Sequence, residues 1–452
     1  MQSINPATGE ILASYSELSQ SEIDVRMAQA QEAFQSWKET PLSFRQEKLY
    51  NLAQILRAKK NELALMATRE MGKPITQSLA EVEKCAWMVD YYREEADHIL
   101  APQQVKTDAS MSLVRLDPLG VVLAVMPWNF PYWQVLRFAV PTILAGNVGV
   151  LKHASNVQGC AQEIERIFLQ AGFPMGVFQN FAITSSQVAG IVQDVRVRAV
   201  TLTGSENAGR QVAKIAGEAL KKTVLELGGS DPFIVLESAD VVEAVRVAAE
   251  SRLQNCGQSC ISAKRFIVVK NHVDQFLAGM TAAFAAKKIG PPEDPQTELG
   301  PLVNEESRKE IQKQVNQAVA QGATLATGGV SLSGVGSFFA PTILTNITRD
   351  MDIYHQEVFG PVAQIIVVAD EMEAVRVAND VSFGLGCSLW SNDQAQIERI
   401  IPQIQAGSVF VNGLVKSDPR LPFGGIKNSG YGRELSSFGL REFVNVKTVW
   451  IK

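Results

Sequence analysis

Apolar residues in the first hundred positions recur at helical spacing. Ile23, Met27, Ala30, Phe34 and Trp37 step by four and three, marking one apolar face. Ser43 and Gln46 stand ahead of Leu49, Leu52, Ile55 and Leu56, a spacing that predicts a capping box at a helix start. Gly72 and Pro74 predict the end of the helix through Leu63, Met66 and Ala67. From Gly120 the period changes. Val121–Met126 is uninterruptedly apolar, as expected of a parallel strand covered on both faces. A helix over Trp133–Leu144 follows, then a strand at Val148–Leu151 and a helix near Ala161–Gln170. Strands at Ala199–Leu202 and Thr223–Leu225 flank another helix. This alternation predicts an α/β fold with a doubly wound, Rossmann-type nucleotide-binding sheet.

A second alternating block runs from Phe233–Leu236 to about Val411. Its predicted strands are Phe266–Val269, Gln364–Val368 and Gly407–Asn412, and its helices lie near Val241–Arg252, His272–Lys288 and Glu305–Gln321. The tail Phe443–Ile451 alternates like a short strand at a chain end, a candidate for pairing with another subunit.

With 452 residues the chain predicts two or three domains. No apolar run reaches the roughly 18 residues of a membrane span. The first residues lack a charged and apolar leader pattern, so no secretory signal is expected. Five scattered cysteines argue against a disulfide framework and for a reducing cytoplasm. No Cys/His cluster has metal-ligand spacing. The net charge of −5 without a basic run makes nucleic acid a poor partner.

The chemistry-bearing segments lie at predicted strand ends and turns. Cys260 closes the polar, glycine-containing stretch Gln254-Asn255-Cys256-Gly257-Gln258-Ser259-Cys260, which suits either a thiolate meeting a substrate or an ordinary cysteine. Asn129, in Pro127–Pro131 after the first strand, could donate to a developing oxyanion or simply turn the chain before Pro131. Glu226, between leucines and followed by Gly228 and Gly229, fits a buried general base or an ion-paired glutamate. Gly204 and Ser205 begin a helix where a backbone could approach phosphate. Glu357 and Phe359 could hold a ribose and a flat ring, or form a turn.

Together and in this order, these segments resemble the aldehyde dehydrogenase superfamily over nearly the whole chain. Ile4–Glu10, Pro127–Pro131, Leu225–Gly229, Gly257–Cys260, Glu357–Pro361 and Pro422–Gly430 carry the resemblance. It implies that Cys260 is the nucleophile, Asn129 with the Cys260 backbone N–H the oxyanion site, and Glu226 the base that activates water against a thioester. It implies a cofactor-binding domain over 1–103 and 121–227, on which part of 422–440 packs, and a catalytic domain over 228–421. An oligomerisation element over 104–120 and 441–452 would build a homodimer or homotetramer. Cys256 becomes a spectator, and Cys85, Cys160 and Cys387 packing residues.

The resemblance also implies a nicotinamide cofactor held by Trp128, Lys152, Gly204, Ser205, Leu227, Glu357 and Phe359. Relatives that prefer NAD place a glutamate three residues after the lysine, and here Ser155 stands there. Removing that carboxylate removes repulsion against a 2′-phosphate, so NADP is tolerated beside NAD. Arg137, nine residues after Trp128, matches the arginine with which succinate-semialdehyde dehydrogenases grip a distal carboxylate. Set among Val135, Leu136, Phe138 and Ala139, it needs an acidic partner if buried, or else reaches solvent. Those enzymes carry a second arginine six residues before the cysteine, and this chain has Gln254 there. Ser417 could add a hydrogen bond. The expected reaction is NAD(P)-dependent oxidation of a short aldehyde with a distal carboxylate, succinate semialdehyde first. The alternatives are a broad-specificity or other semialdehyde dehydrogenase, a CoA-acylating enzyme, which Glu226 argues against, and a silent structural homologue.

Overall fold

The apolar stripe read from the first helical stretch is buried as spaced: Ile23, Met27, Ala30, Phe34 and Trp37 all face inward from α1 (Gln20–Trp37). The computed structural model describes all of residues 1–452. A capping box forms on α1, where the Glu22 N–H donates to Ser19 Oγ (3.3 Å) and the Ser19 N–H to Glu22 Oε2 (2.8 Å). The box expected at Ser43 and Gln46 does not form. Helix α2 (Leu42–Ala58) begins earlier, after Pro41, whose φ is fixed at −58°. Gln46 thus lies inside the helix and donates instead to the Arg93 carbonyl (3.0 Å) and Asp97 (2.9 Å). Helix α3 (Lys60–Met71) ends on Gly72 at φ +82°, a left-handed cap that suits glycine. Helix α4 (Ile75–Leu100) then crosses towards the site.

The first sheet has the order Gly430–Tyr431, Lys222–Glu226, Val197–Thr203, Val121–Met126, Val148–His153, Phe178–Asn180. All pairs are parallel except that of Gly430–Tyr431 with Lys222–Glu226. The chain winds outward in both directions from Val121–Met126, so a switch point opens between that strand and Val197–Thr203. Helix α5 (Trp133–Leu144) follows the first strand and is buried along its length. Phe423, Leu435 and Leu440 join the same core.

The second sheet, with its own core, runs Thr324–Thr327, Thr342–Thr345, Val362–Val368, Arg265–Val269, Pro232–Val235, Gly386–Trp390, Ser408–Val411. It is parallel apart from its first pair. The strands Phe178–Asn180, Thr342–Thr345 and Gly386–Trp390 have no counterpart in the apolar pattern. They are short or interrupted by Gln, Asn, Ser and Gly, and pairing rather than periodicity defines them. The tail strand, Val444–Ile451, pairs antiparallel with Met111–Pro118 of its own chain and leaves its outer edge unpaired. No helix is long and apolar enough to cross a membrane.

Candidate active site

The polar stretch before Cys260 is a strained turn. Asn255, Cys256 and Gly257 take φ of +48°, +57° and +77°, a left-handed run that costs L-residues about 1–2 kcal/mol each. Surrounding hydrogen bonds hold it. The Asn255 side-chain amide donates to the carbonyls of Asn129 (2.8 Å) and Gln258 (3.1 Å), and its backbone N–H donates to Gln77 Oε1 (2.7 Å). Arg252 donates to the carbonyls of Gly257 (2.5 Å) and Ala263 (2.9 Å), and Lys264 to those of Ser259 (2.9 Å) and Cys260 (2.6 Å). A Cβ on Gly257 would lie 2.3 Å from the Gly360 backbone, so only glycine fits between the turn and that segment. Gln258 is fully buried and accepts from the Val303 N–H (2.8 Å). The polar residues around the cysteine are therefore the turn's scaffold.

This scaffold delivers Cys260 to a cavity of about 490 Å³, within the usual range of roughly 300–1,000 Å³ for small-molecule sites. Burial pushes the thiol up to about 12, against the pull of Lys264 and Arg137. The Cys260 backbone N–H has no protein acceptor. Asn129 is buried beside the turn; its amide donates one N–H to the Gln258 carbonyl (3.0 Å), and its oxygen accepts from Gln134 (3.0 Å). A second amide N–H remains available.

Helix α4 organises the opposite wall through Gln77, Glu81 and Lys84, spaced by four and three on one face. Gln77 holds the cysteine turn. Glu81 accepts from the N–H groups of Tyr132 and Trp133 (2.9 Å each), anchoring the start of α5, and pairs with the buried Lys73. Lys84 reaches the cavity, donates to Ser417 Oγ (2.8 Å) and lies 4.2 Å above the Trp133 ring. Sequence reading missed it because Glu81 and Lys84 look like an ordinary surface ion pair. The available signal was a polar stripe on a helix whose neighbouring positions Val82, Cys85, Ala86 and Val89 are all apolar.

Arg137 on α5 is buried, which overturns the solvent-reaching alternative. Its acidic partner is Glu434, and its guanidinium lies 4.8 Å from the Phe423 ring centre. Arg137 still lines the cavity, together with Gln254 and Ser417. Gln254 Nε2, Ser259 Oγ and Trp133 Nε1 are buried on this wall without hydrogen-bond partners. The wall is thus rich in unspent donors.

Glu226 does not line the cavity. Its carboxylate rests against Gly424, where a Cβ would lie 2.6 Å from Oε1, and neither oxygen has a hydrogen-bond partner. Burial raises its pKa well above the usual carboxylate range, and Glu434 adds to the rise. Glu434, which sequence reading also missed, thus pairs with Arg137 and faces Glu226.

The residues expected to hold a cofactor gather at the carboxyl ends of the first sheet. Lys152 is the penultimate residue of the Val148–His153 strand; it is buried, forms no ion pair, and burial lowers its pKa. Ser155 is exposed at the turn beyond it. Gly204 and Ser205 precede the helix Glu206–Glu218, with Ser205 Oγ accepting from the Ala208 N–H (3.3 Å). A Cβ on Gly204 would meet only Leu202, at 3.5 Å, so the backbone there is open to approach. Leu227 lies over Gly209 in the same helix. Trp128 and Phe359 meet edge to face at 5.9 Å, and Glu357 accepts from the Gly229 N–H (3.0 Å) beside Lys264 (3.6 Å). An uncompensated lysine, an open glycine turn and a helix N-terminus fit a phosphate-bearing dinucleotide.

The comparisons agree with this geometry. Residues 1–449 match the aldehyde dehydrogenase family model. The chain is 50% identical over 448 residues to a probable succinate-semialdehyde dehydrogenase [NADP(+)] of Synechocystis sp., covering 99% of both chains. It is also 50% identical to a succinate-semialdehyde dehydrogenase [NADP(+)] of Mycobacterium avium, over 99% of this chain and 96% of that one. The structure of succinic semialdehyde dehydrogenase from Streptococcus pyogenes with NADP+ superposes with a TM-score of 0.98 at 40% identity, covering 100% and 99% of the two chains. With a cysteine turn facing a donor-lined cavity and full-length similarity on both counts, this chain belongs to the aldehyde dehydrogenase family.

Proposed function

We propose that this enzyme oxidises a short aldehyde with a distal carboxylate, succinate semialdehyde to succinate, using NADP or NAD. The carrying observation is the wall facing Cys260, where Arg137, Gln254 and Ser417 present donors to one chamber. The full-length similarity to enzymes named for that substrate supports the same reading.

In this reading the Cys260 thiol gives up its proton to water in the cavity, the thiolate attacks the aldehyde carbon, and the carbonyl electron pair moves to oxygen. The free Asn129 amide N–H and the Cys260 backbone N–H receive the oxyanion. As the oxyanion re-forms its carbonyl, the carbon loses a hydride that nicotinamide would accept when bound, and Cys260 keeps the acyl group as a thioester. Glu226 turns from Gly424 towards the cavity, with no hydrogen bond to hold it back, and takes a proton from the attacking water. The raised pKa makes it a stronger base once ionised. The thiolate leaves, and the acid is released.

Lys152, Gly204, Ser205 and Leu227 would hold the adenosine and phosphate end, and Trp128, Glu357 and Phe359 the nicotinamide end. With serine at 155, Lys152 would hold a 2′-phosphate without an opposing carboxylate, which favours NADP. We read 1–103 and 121–227 as the cofactor-binding domain and 228–421 as the catalytic one, each centred on one mostly parallel sheet. The tail strand's open edge, with Val446 and Trp450 exposed, supports a homodimer or homotetramer through 104–120 and 441–452. Five cysteines without a disulfide fit a reducing cytoplasm.

Initial rates over an aldehyde panel, with NADP and NAD in parallel, test the reading. Succinate semialdehyde should exceed butanal in kcat/KM by about 100-fold or more, as a charged, hydrogen-bonded end group predicts. Equal rates would overturn it.

A further inference from the structure

Four cations line the chamber facing Cys260. Lys287 pairs with Glu298 and Lys416 is exposed, which leaves Arg137 and Lys84 as the inward pair, and these two are not equivalent. Arg137 already has a buried carboxylate, Glu434. Lys84 has none: its ammonium donates to the neutral Ser417 hydroxyl and lies over the Trp133 ring. The charged and titratable groups around it are Arg137 on α5, Glu81 and Cys85 on its own helix, and Asp418 in the loop beyond Ser417. None of the acidic ones forms an ion pair with it. Burial, and then the repulsion of Arg137, lower its pKa to about 8. Glu81 is already paired with Lys73 and Glu434 with Arg137, so the Arg137 and Lys84 pair is short of one anion.

We infer that Lys84 is a second cationic anchor for the distal carboxylate of the substrate, replacing from helix α4 the charge that Gln254 does not supply. Ser417 shares this hydrogen bond and orients the ammonium, and the unpartnered Gln254 Nε2 and Trp133 Nε1 stand on the same wall. The i, i+4, i+7 face of α4 ties this anchor to the reaction centre, because Gln77 on that face holds the cysteine turn. The distance between sulfur and anchor is therefore set by one rigid helix, which selects substrate length. This inference rests on the reading of a carboxylate-bearing aldehyde.

The test compares wild type, Lys84→Met and Lys84→Arg with succinate semialdehyde and with butanal, each from pH 6.5 to 9.5. Loss of the charge-assisted bond should lower the ratio of the two kcat/KM values by about 10- to 100-fold in Lys84→Met, through KM rather than kcat. Lys84→Arg should recover most of it. In wild type, KM for succinate semialdehyde should rise as the pH passes about 8 and the ammonium is lost, and this rise should vanish in Lys84→Met. An unchanged ratio, or an equal loss on both aldehydes as expected of a merely packing lysine, would overturn the assignment while leaving the carboxylate reading intact. A wild type with no preference for succinate semialdehyde over butanal would overturn both.

Discussion

Cys256 and Cys260 stand four residues apart in one turn, and burial pushes both thiols up to about 12. Their surroundings differ. Cys256 is enclosed, and its sulfur accepts from the Gly300 N–H at 3.2 Å. Cys260 opens onto the cavity, with Lys264 and Arg137 as cationic neighbours and its own backbone N–H unspent. The left-handed run at Asn255–Gly257 reverses the chain between them and turns one sulfur inward and the other outward. Resting acidity does not separate the two cysteines. Access and the groups awaiting the reaction do, and the scaffold residues around the turn exist to fix that difference.

The strongest way to break this contrast is to remove the outward sulfur. Cys260→Ala should lower steady-state aldehyde oxidation by at least about 1,000-fold, since covalent catalysis has no substitute nucleophile in the chamber. Thermal melting should stay close to wild type because the side chain is small and only partly enclosed. Residual turnover above a few per cent would transfer the role to another group.

The next largest effect concerns the thioester that Cys260 alone can form. Glu226→Gln should leave a single-turnover burst of reduced cofactor near wild type, while steady-state turnover falls by about 100-fold or more, the usual range for a lost general base. The sign of the pH dependence follows from the raised carboxyl pKa. A base must be ionised, so wild-type turnover falls as pH drops through that pKa, and the acid limb disappears in Glu226→Gln. Loss of the burst itself would place Glu226 in the acylation step instead.

The fold was largely legible because the central strand of the first sheet is a continuous apolar run and the helices carry regular stripes. Val121–Met126 and Trp133–Leu144 coincide with the expected elements. Short strands such as Phe178–Asn180 were not legible, since pairing with Val148–His153 defines them. The same limit governs the site. Arg137 announced its need for an acidic partner through its apolar neighbours, but Glu434 lies far along the chain, and nothing local connects them. Lys84 was hidden by a false local solution: Glu81 at i−3 looks like its partner, yet Glu81 is committed to Lys73 and the start of α5. Local spacing proposes ion pairs, and tertiary packing decides which of them form.

The smallest effect should come from the inward sulfur, and its smallness is what the contrast requires. Cys256→Ser replaces a buried thiol with a hydroxyl that can still accept from the Gly300 N–H. The left-handed backbone at that position is unchanged in kind, because serine meets the same steric limits as cysteine. The cost is burial of a more polar group, about 1 kcal/mol of stability, read as a small drop in melting temperature. Turnover should remain within about twofold of wild type. Iodoacetamide should inactivate Cys256→Ser at the wild-type rate, because the alkylated sulfur is the one facing the cavity. A variant that melts normally yet loses turnover, or that resists alkylation, would mean that the two sulfurs act together and that the turn does not separate them.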